Sequence, residues 1–104
     1  MSRTIDVKGT VQEWVDLNDS SLRIWIVEAC EVALAEYTDT ADVVILNTES
    51  GLTRFVIKGV DKIRKALKIS MEHFVKIEEY ELAARARDCI YRWEEKNRET
   101  WQNQ

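Results

Sequence analysis

Two helical stripes stand almost end to end in the second half of this chain, divided by a turn of only three residues, and this arrangement limits the fold more than any other feature. Between Asp61 and Ile77 the residues Ile63, Leu67, Ser70, Met71 and Phe74 recur at helical spacing, with Lys62, Arg64, Lys65 and Lys68 largely outside that stripe. Lys76-Ile77-Glu78 forms the turn. From Glu79 to about Asn97 a second stripe follows, in which Tyr80, Ala83, Ala84, Arg87, Ile90 and Trp93 or Glu94 share one face at i, i+3, i+4 spacing. The paired alanines allow another helix to approach closely. The spacing predicts an antiparallel helical hairpin over residues 60–98, with a frayed tail at 99–104 unless Trp101 docks.

Within the second stripe the order acid, aromatic, acid, Ala-Ala, Arg-Asp and aliphatic is carried by Glu79, Tyr80, Glu81, Ala83, Ala84, Arg87, Asp88 and Ile90. It resembles the UVR motif, which closes the bacterial excision-repair proteins UvrB and UvrC and recurs in regulators of Clp proteases. The resemblance covers about residues 61–96, and the stripe of Ile63, Leu67, Met71 and Phe74 is similar to the helix that precedes the motif. It implies a docking role, with Met71, Phe74, Tyr80, Ala83, Ala84, Arg87, Ile90 and Trp93 as partner-binding residues. It also implies that Asp88 stabilises the hairpin by holding the opposite arm, that Arg87 reaches toward an acid of the hairpin or of a partner, and that the chain forms a homodimer or small homo-oligomer. The plain alternative for Asp88 is a helix salt bridge to Arg92.

The first half reads as strand, helix and β-hairpin. Residues 3–8 alternate apolar and polar up to Gly9, Thr10 is placed to cap a brief helix through Val15, and Asp16 to Ser20 is a turn. Asp19, Ser20 or Ser21 offers an N-cap for a core helix over Leu22–Tyr37, whose apolar faces hold Ile26, Val27, Cys30, Ala33, Leu34 and Tyr37. Two β-branched runs, 42–47 and 52–58, flank a loop of four or five residues containing Gly51. The expectation is one α+β domain: a small three-stranded sheet packed on a core helix, followed by the helical hairpin.

Charge narrows the function. Residues 1–60 hold five Lys/Arg and ten Asp/Glu, whereas residues 61–104 hold ten and nine. An acidic first half opposes direct binding of phosphate backbones, which depends on cations displacing counterions. The start of the chain has no apolar leader-like run and no stretch reaches the length of a membrane helix, so a cytoplasmic protein without membrane contact is expected.

Catalytic chemistry finds little support. His73 stands alone, the two cysteines have no CxxC spacing, and the glycines at 9, 51 and 59 form no phosphate loop. Cys30 lies in the most apolar helix, and Cys89 is expected to be the more exposed thiol. No metal, cofactor or enzymatic activity is expected. Trp14 and Trp25 suit burial between sheet and helix, Trp93 and Trp101 suit exposure, and Arg85 and Arg92 suit solvation. The expected function is that of a non-enzymatic adaptor or regulator docking a protein partner, or itself, through the hairpin. Two alternatives are a small acidic inhibitor of phage type, mimicking nucleic acid through Asp16, Asp19, Glu28, Glu31, Asp39 and Asp42, and an oligomer binding a small ligand or nucleotide.

Overall fold

The computed structural model describes residues 3–102, with side chains as far as Lys96; the expectations for Trp101 and for residues 103–104 lie outside the described residues. The elements are β1 (Arg3–Asp6), α1 (Val11–Leu17), α2 (Asp19–Ala35), β2 (Thr40–Thr48), β3 (Gly51–Lys58), α3 (Val60–Lys76) and α4 (Tyr80–Gln102). The fold is α+β, with a three-stranded sheet and four helices. The helix continues to Gln102, beyond the end expected near Asn97.

Strand β2 lies at the centre of a mixed sheet of order β1-β2-β3. It runs parallel to β1, from Arg3 opposite Val44 to Asp6 opposite Asn47, and antiparallel to β3. Parallel pairing needs a long crossover, which α1 and α2 supply. A bulge at Val43 breaks the alternation, so Val43 and Val44 are both buried, with Ala41 and Leu46, while Asp42 reaches Arg54 at 2.9 Å. The β2–β3 connection is tighter than expected. Thr48 already pairs with Gly51, leaving Glu49-Ser50 as the turn, and Gly51 supplies φ +117°, which a side chain would resist. Thr48 Oγ1 accepts from Ser50 N at 3.2 Å and donates to the Gly51 carbonyl at 2.9 Å.

Thr10 caps α1 as expected, its Oγ1 accepting from Glu13 N at 3.2 Å. Helix α2 begins one residue after α1 ends, and its N-cap is Asn18 rather than Asp19, Ser20 or Ser21. Asn18 makes no side-chain cap bond to α2; its amide Nδ2 instead donates to the Trp14 carbonyl at 2.8 Å, closing α1. Gly59 precedes α3, and Asp61 sits in its first turn.

Both α2 and α3 stop without glycine. Tyr37 N bonds the Leu34 carbonyl and Thr38 N the Ala33 carbonyl; Glu78 N bonds Val75 and Glu79 N bonds Phe74. These are Schellman closures, with Tyr37 (φ 56°) and Glu78 (φ 63°) in the left-handed position usually held by glycine. Tyr37 is therefore turned out of the apolar face assigned to it, 84 % exposed, with the Lys96 ammonium 4.3 Å from its ring centre.

The core lies where α2 meets the sheet on one side and the α3–α4 pair on the other. Leu22, Ile26, Val27, Ala29, Cys30 and Ala33 of α2 are buried, as are Ile63, Leu67, Ser70 and Phe74 of α3 and Ala83, Ala86, Cys89 and Trp93 of α4. Ala83 and Ala86 keep the contact face of α4 shallow, so its backbone can approach α2 and α3. Trp14 and Trp25 are half-buried and stack at 5.8 Å, and the Arg3 guanidinium lies 4.5 Å over Trp25. The molecule measures 48 × 31 × 18 Å, thin enough that whole faces stay uncovered. Leu52 and Val56 are exposed on the sheet, Val75, Tyr80 and Tyr91 on the helix pair. Among the described residues no helix is long and apolar enough to cross a membrane.

Candidate interaction groove between α3 and α4

Each helix of the α3–α4 pair carries two seams. The inner ones, 63/67/70/74 and 83/86/89/93, build the core. A second pair lies roughly 100° round each helix: Arg64, Lys68, Met71 and Val75 on α3, and Tyr80, Ala84, Arg87, Tyr91 and Glu94 on α4. Between these outer seams runs a groove of about 490 Å³. Met71 and Ile90, both half-buried, and the ring of Tyr91 line it with apolar surface, and Arg64, Lys65, Lys68 and Arg87 line it with four cations against the acids Asp61 and Glu94.

One end of the groove is neutralised. Arg64 reaches across to Glu94 at 2.9 Å and lies 4.0 Å from Asp61, tying α3 to α4. Farther along, Lys65 and Lys68 are exposed and have no ion pair among the described residues. Among the described residues Arg87 pairs with its neighbour Asp88 alone, at 3.3 Å, and both are more than half exposed. Asp88 offsets part of the Arg87 charge without fixing it across the hairpin, and Lys65 and Lys68 keep this part of the groove cationic.

The expected site residues divide. Met71, Arg87 and Ile90 come together in the groove, with Tyr80 exposed and Ala84 half-buried along the same outer seam. Phe74, Ala83 and Trp93 are 0 %, 7 % and 2 % exposed and face the chain's own core, so in the folded chain they are not open to a partner. Trp93 is fastened by its indole Nε1, which donates to the Cys30 carbonyl at 3.1 Å. Among the described residues Asp88 has no bond to the opposite arm and no bridge to Arg92; its carboxylate is more than half exposed beside Arg87, and Arg64–Glu94 ties the two helices instead. Lys65, Lys68, Tyr91 and Glu94 were outside the expected set, although the spacing 84, 87, 91, 94 was visible.

Arg85, expected to be solvated, joins α4 to α2 through three contacts of 2.6–3.1 Å with the Glu31 carboxylate, and that hydrogen bonding holds its guanidinium above its ordinary pKa. The acidic half is similarly occupied. Of the six acids expected to mimic nucleic acid, Glu28 pairs with Arg3, Glu31 with Arg85, Asp42 with Arg54 and Asp19 with Arg23. A second cavity, of about 270 Å³, lies beside Arg3, Trp25 and Glu28, which pairs with Arg3 at 2.8 Å; Glu36 and Asp42 also line it, Asp42 being paired with Arg54.

Chemistry elsewhere is quiet. Both thiols are buried, Cys89 at 2 % exposure and Cys30 at 0 %, and burial pushes them up to about 11 and about 12 respectively, so both are protonated at neutral pH. His73 Nε2 lies 3.1 Å from Ser20 Oγ and its Nδ1 3.5 Å from Asp19, the connectivity of a catalytic triad. Asp19 is also 3.4 Å from Arg23, Ser20 is exposed, and neither cavity described above includes these residues. The cluster joins the start of α2 to the end of α3. Among the described residues no three His, Cys, Asp or Glu side chains are grouped to hold a metal.

No family model, curated protein or solved structure matches this chain.

Proposed function

We propose that this chain is a non-enzymatic adaptor or regulatory protein that docks a protein partner through an antiparallel hairpin formed by α3 and α4, in the manner implied by the resemblance of residues 61–96 to the UVR motif. The observation that carries this reading is the groove: the half-buried apolar residues Met71 and Ile90 flanked by Lys65, Lys68 and Arg87, none of them tied across the hairpin among the described residues, on a helix pair already anchored by its opposite face. Helix-in-groove recognition uses such surfaces, with an apolar stripe for affinity and flanking charge for orientation. The mimicry alternative is weaker because four of its six acids already face a cation of the chain itself within 3.4 Å. Self-association through the two grooves is also less favoured. Lys65 and Lys68 lie midway along α3, so a two-fold axis there would bring them against their own copies.

Partner capture from the cells that make the protein, compared quantitatively between wild type, Tyr91→Asp in the groove and Leu52→Asp on the sheet face, tests this. Both altered residues are exposed, so both variants should fold. A partner retained by wild type and Leu52→Asp and lost by Tyr91→Asp is the expected result. Loss by Leu52→Asp alone would transfer the docking role to the sheet.

A further inference from the structure

We infer that the occupant of the α3–α4 groove is an acidic amphipathic helical segment of a partner protein, about ten residues long; this rests on the docking reading and adds the chemical class of the ligand. Length follows from the walls. Asp61 to Met71 covers about three turns of α3, or about 15 Å, which matches the same number of turns in a helix lying between α3 and α4. The apolar surface from Met71, Ile90 and Tyr91 asks for side chains at i, i+3 or i+4, and i+7. Met71 suits such a contact because an unbranched thioether adapts its shape to what packs on it.

Charge sets the sign of the ligand. The chain as a whole carries −4, yet the groove is lined by four cations and two acids, so its positive field is a local feature. Lys65 and Lys68 on one wall and Arg87 on the other place cations on both sides of a bound helix. Carboxylates flanking the apolar stripe of the ligand would meet them. Because Arg64 is already engaged by Glu94 and Asp61, the ligand's acids belong toward the Lys68 and Arg87 end. A phosphate backbone suits the groove less well, since it would leave the apolar lining uncovered and run into those two acids.

The test uses a fluorescein-labelled, stapled helical peptide of about twelve residues, with Leu at i, i+3, i+4 and i+7 and Glu on both flanks, titrated into the full chain by anisotropy. A second peptide carries Lys in place of every Glu. The expected result is that the acidic peptide binds at least about tenfold more tightly than the basic one, and that Lys65→Glu/Lys68→Glu, both at exposed positions, reverses the order with unchanged circular dichroism. Raising salt should weaken the acidic peptide's binding. Equal affinity for the two peptides, or indifference to the double charge reversal, overturns the inference. So does competition by duplex DNA in preference to the acidic peptide, or a wild-type dimer in light scattering that the peptide does not dissociate. If the peptide fails while Tyr91→Asp still abolishes partner capture, the docking reading stands and the acidic class falls; if both fail, the groove is not a docking surface.

Discussion

Replacing Trp93 with alanine distinguishes a core residue from an interface residue. Its side chain is 2 % exposed and its indole N–H is bonded to the Cys30 carbonyl across α2 and α4. Truncating a buried aromatic costs about 3–5 kcal/mol, of which the lost hydrogen bond is about 1 kcal/mol. A domain of this size has about 5–15 kcal/mol in total, so Trp93→Ala should lose a large share of it. Trp93→Phe keeps most of the volume and should cost about 1–2 kcal/mol. Urea unfolding followed by far-ultraviolet circular dichroism measures both, with the slope against urea unchanged if the effect is on stability alone. A loss below about 0.5 kcal/mol for Trp93→Ala, typical of a surface position, would refute the placement of this face in the core.

Other expected outcomes follow from single positions. Ser70 is fully buried in α3 and its hydroxyl has no partner among the described residues, so Ser70→Ala should raise stability by about 1 kcal/mol, read as a higher urea midpoint; a lower midpoint would show that the hydroxyl is bonded. Glu78→Gly relieves a side chain at φ 63° and should stabilise by about 0.5 kcal/mol after the entropy that glycine adds to the unfolded chain, whereas Glu78→Val should destabilise. The buried thiols predict alkaline weakening. Their folded pKa values of about 12 for Cys30 and about 11 for Cys89 lie above the ordinary 9.0, so their contribution is complete below pH 9 and lost as pH rises toward 11–12. Thermal melts from neutral to strongly alkaline pH should show this fall, reduced in a Cys30→Ala/Cys89→Ala variant. A thiol reagent at neutral pH should leave both cysteines unmodified until the chain unfolds.

Much of the fold was legible because its signals are local. Alternation around Ile5, the Thr10 cap, and the β-branched runs of β2 and β3 read directly as structure. Where α2 and α3 end was harder, since the closures at Tyr37 and Glu78 use residues that do not favour the left-handed region. The hairpin site was half legible for a different reason. Helix α4 carries two seams, and a periodicity argument detects a stripe without saying which neighbour it meets. Ala83, Ala84, Arg87 and Trp93 thus read as one face, whereas the structure divides them between the core and the groove. Partners distant in sequence, such as Glu31 for Arg85 or Glu94 for Arg64, leave no local trace at all.

Docking through the α3–α4 groove is tested most directly by photo-crosslinking in the cells that make the protein, with benzoylphenylalanine placed at Lys68 or Tyr91 in the groove and at Leu52 or Val56 on the bare sheet face. A discrete crosslinked product is expected from Lys68 and Tyr91 and none from the two sheet positions. Products from Leu52 and Val56 alone would contradict it.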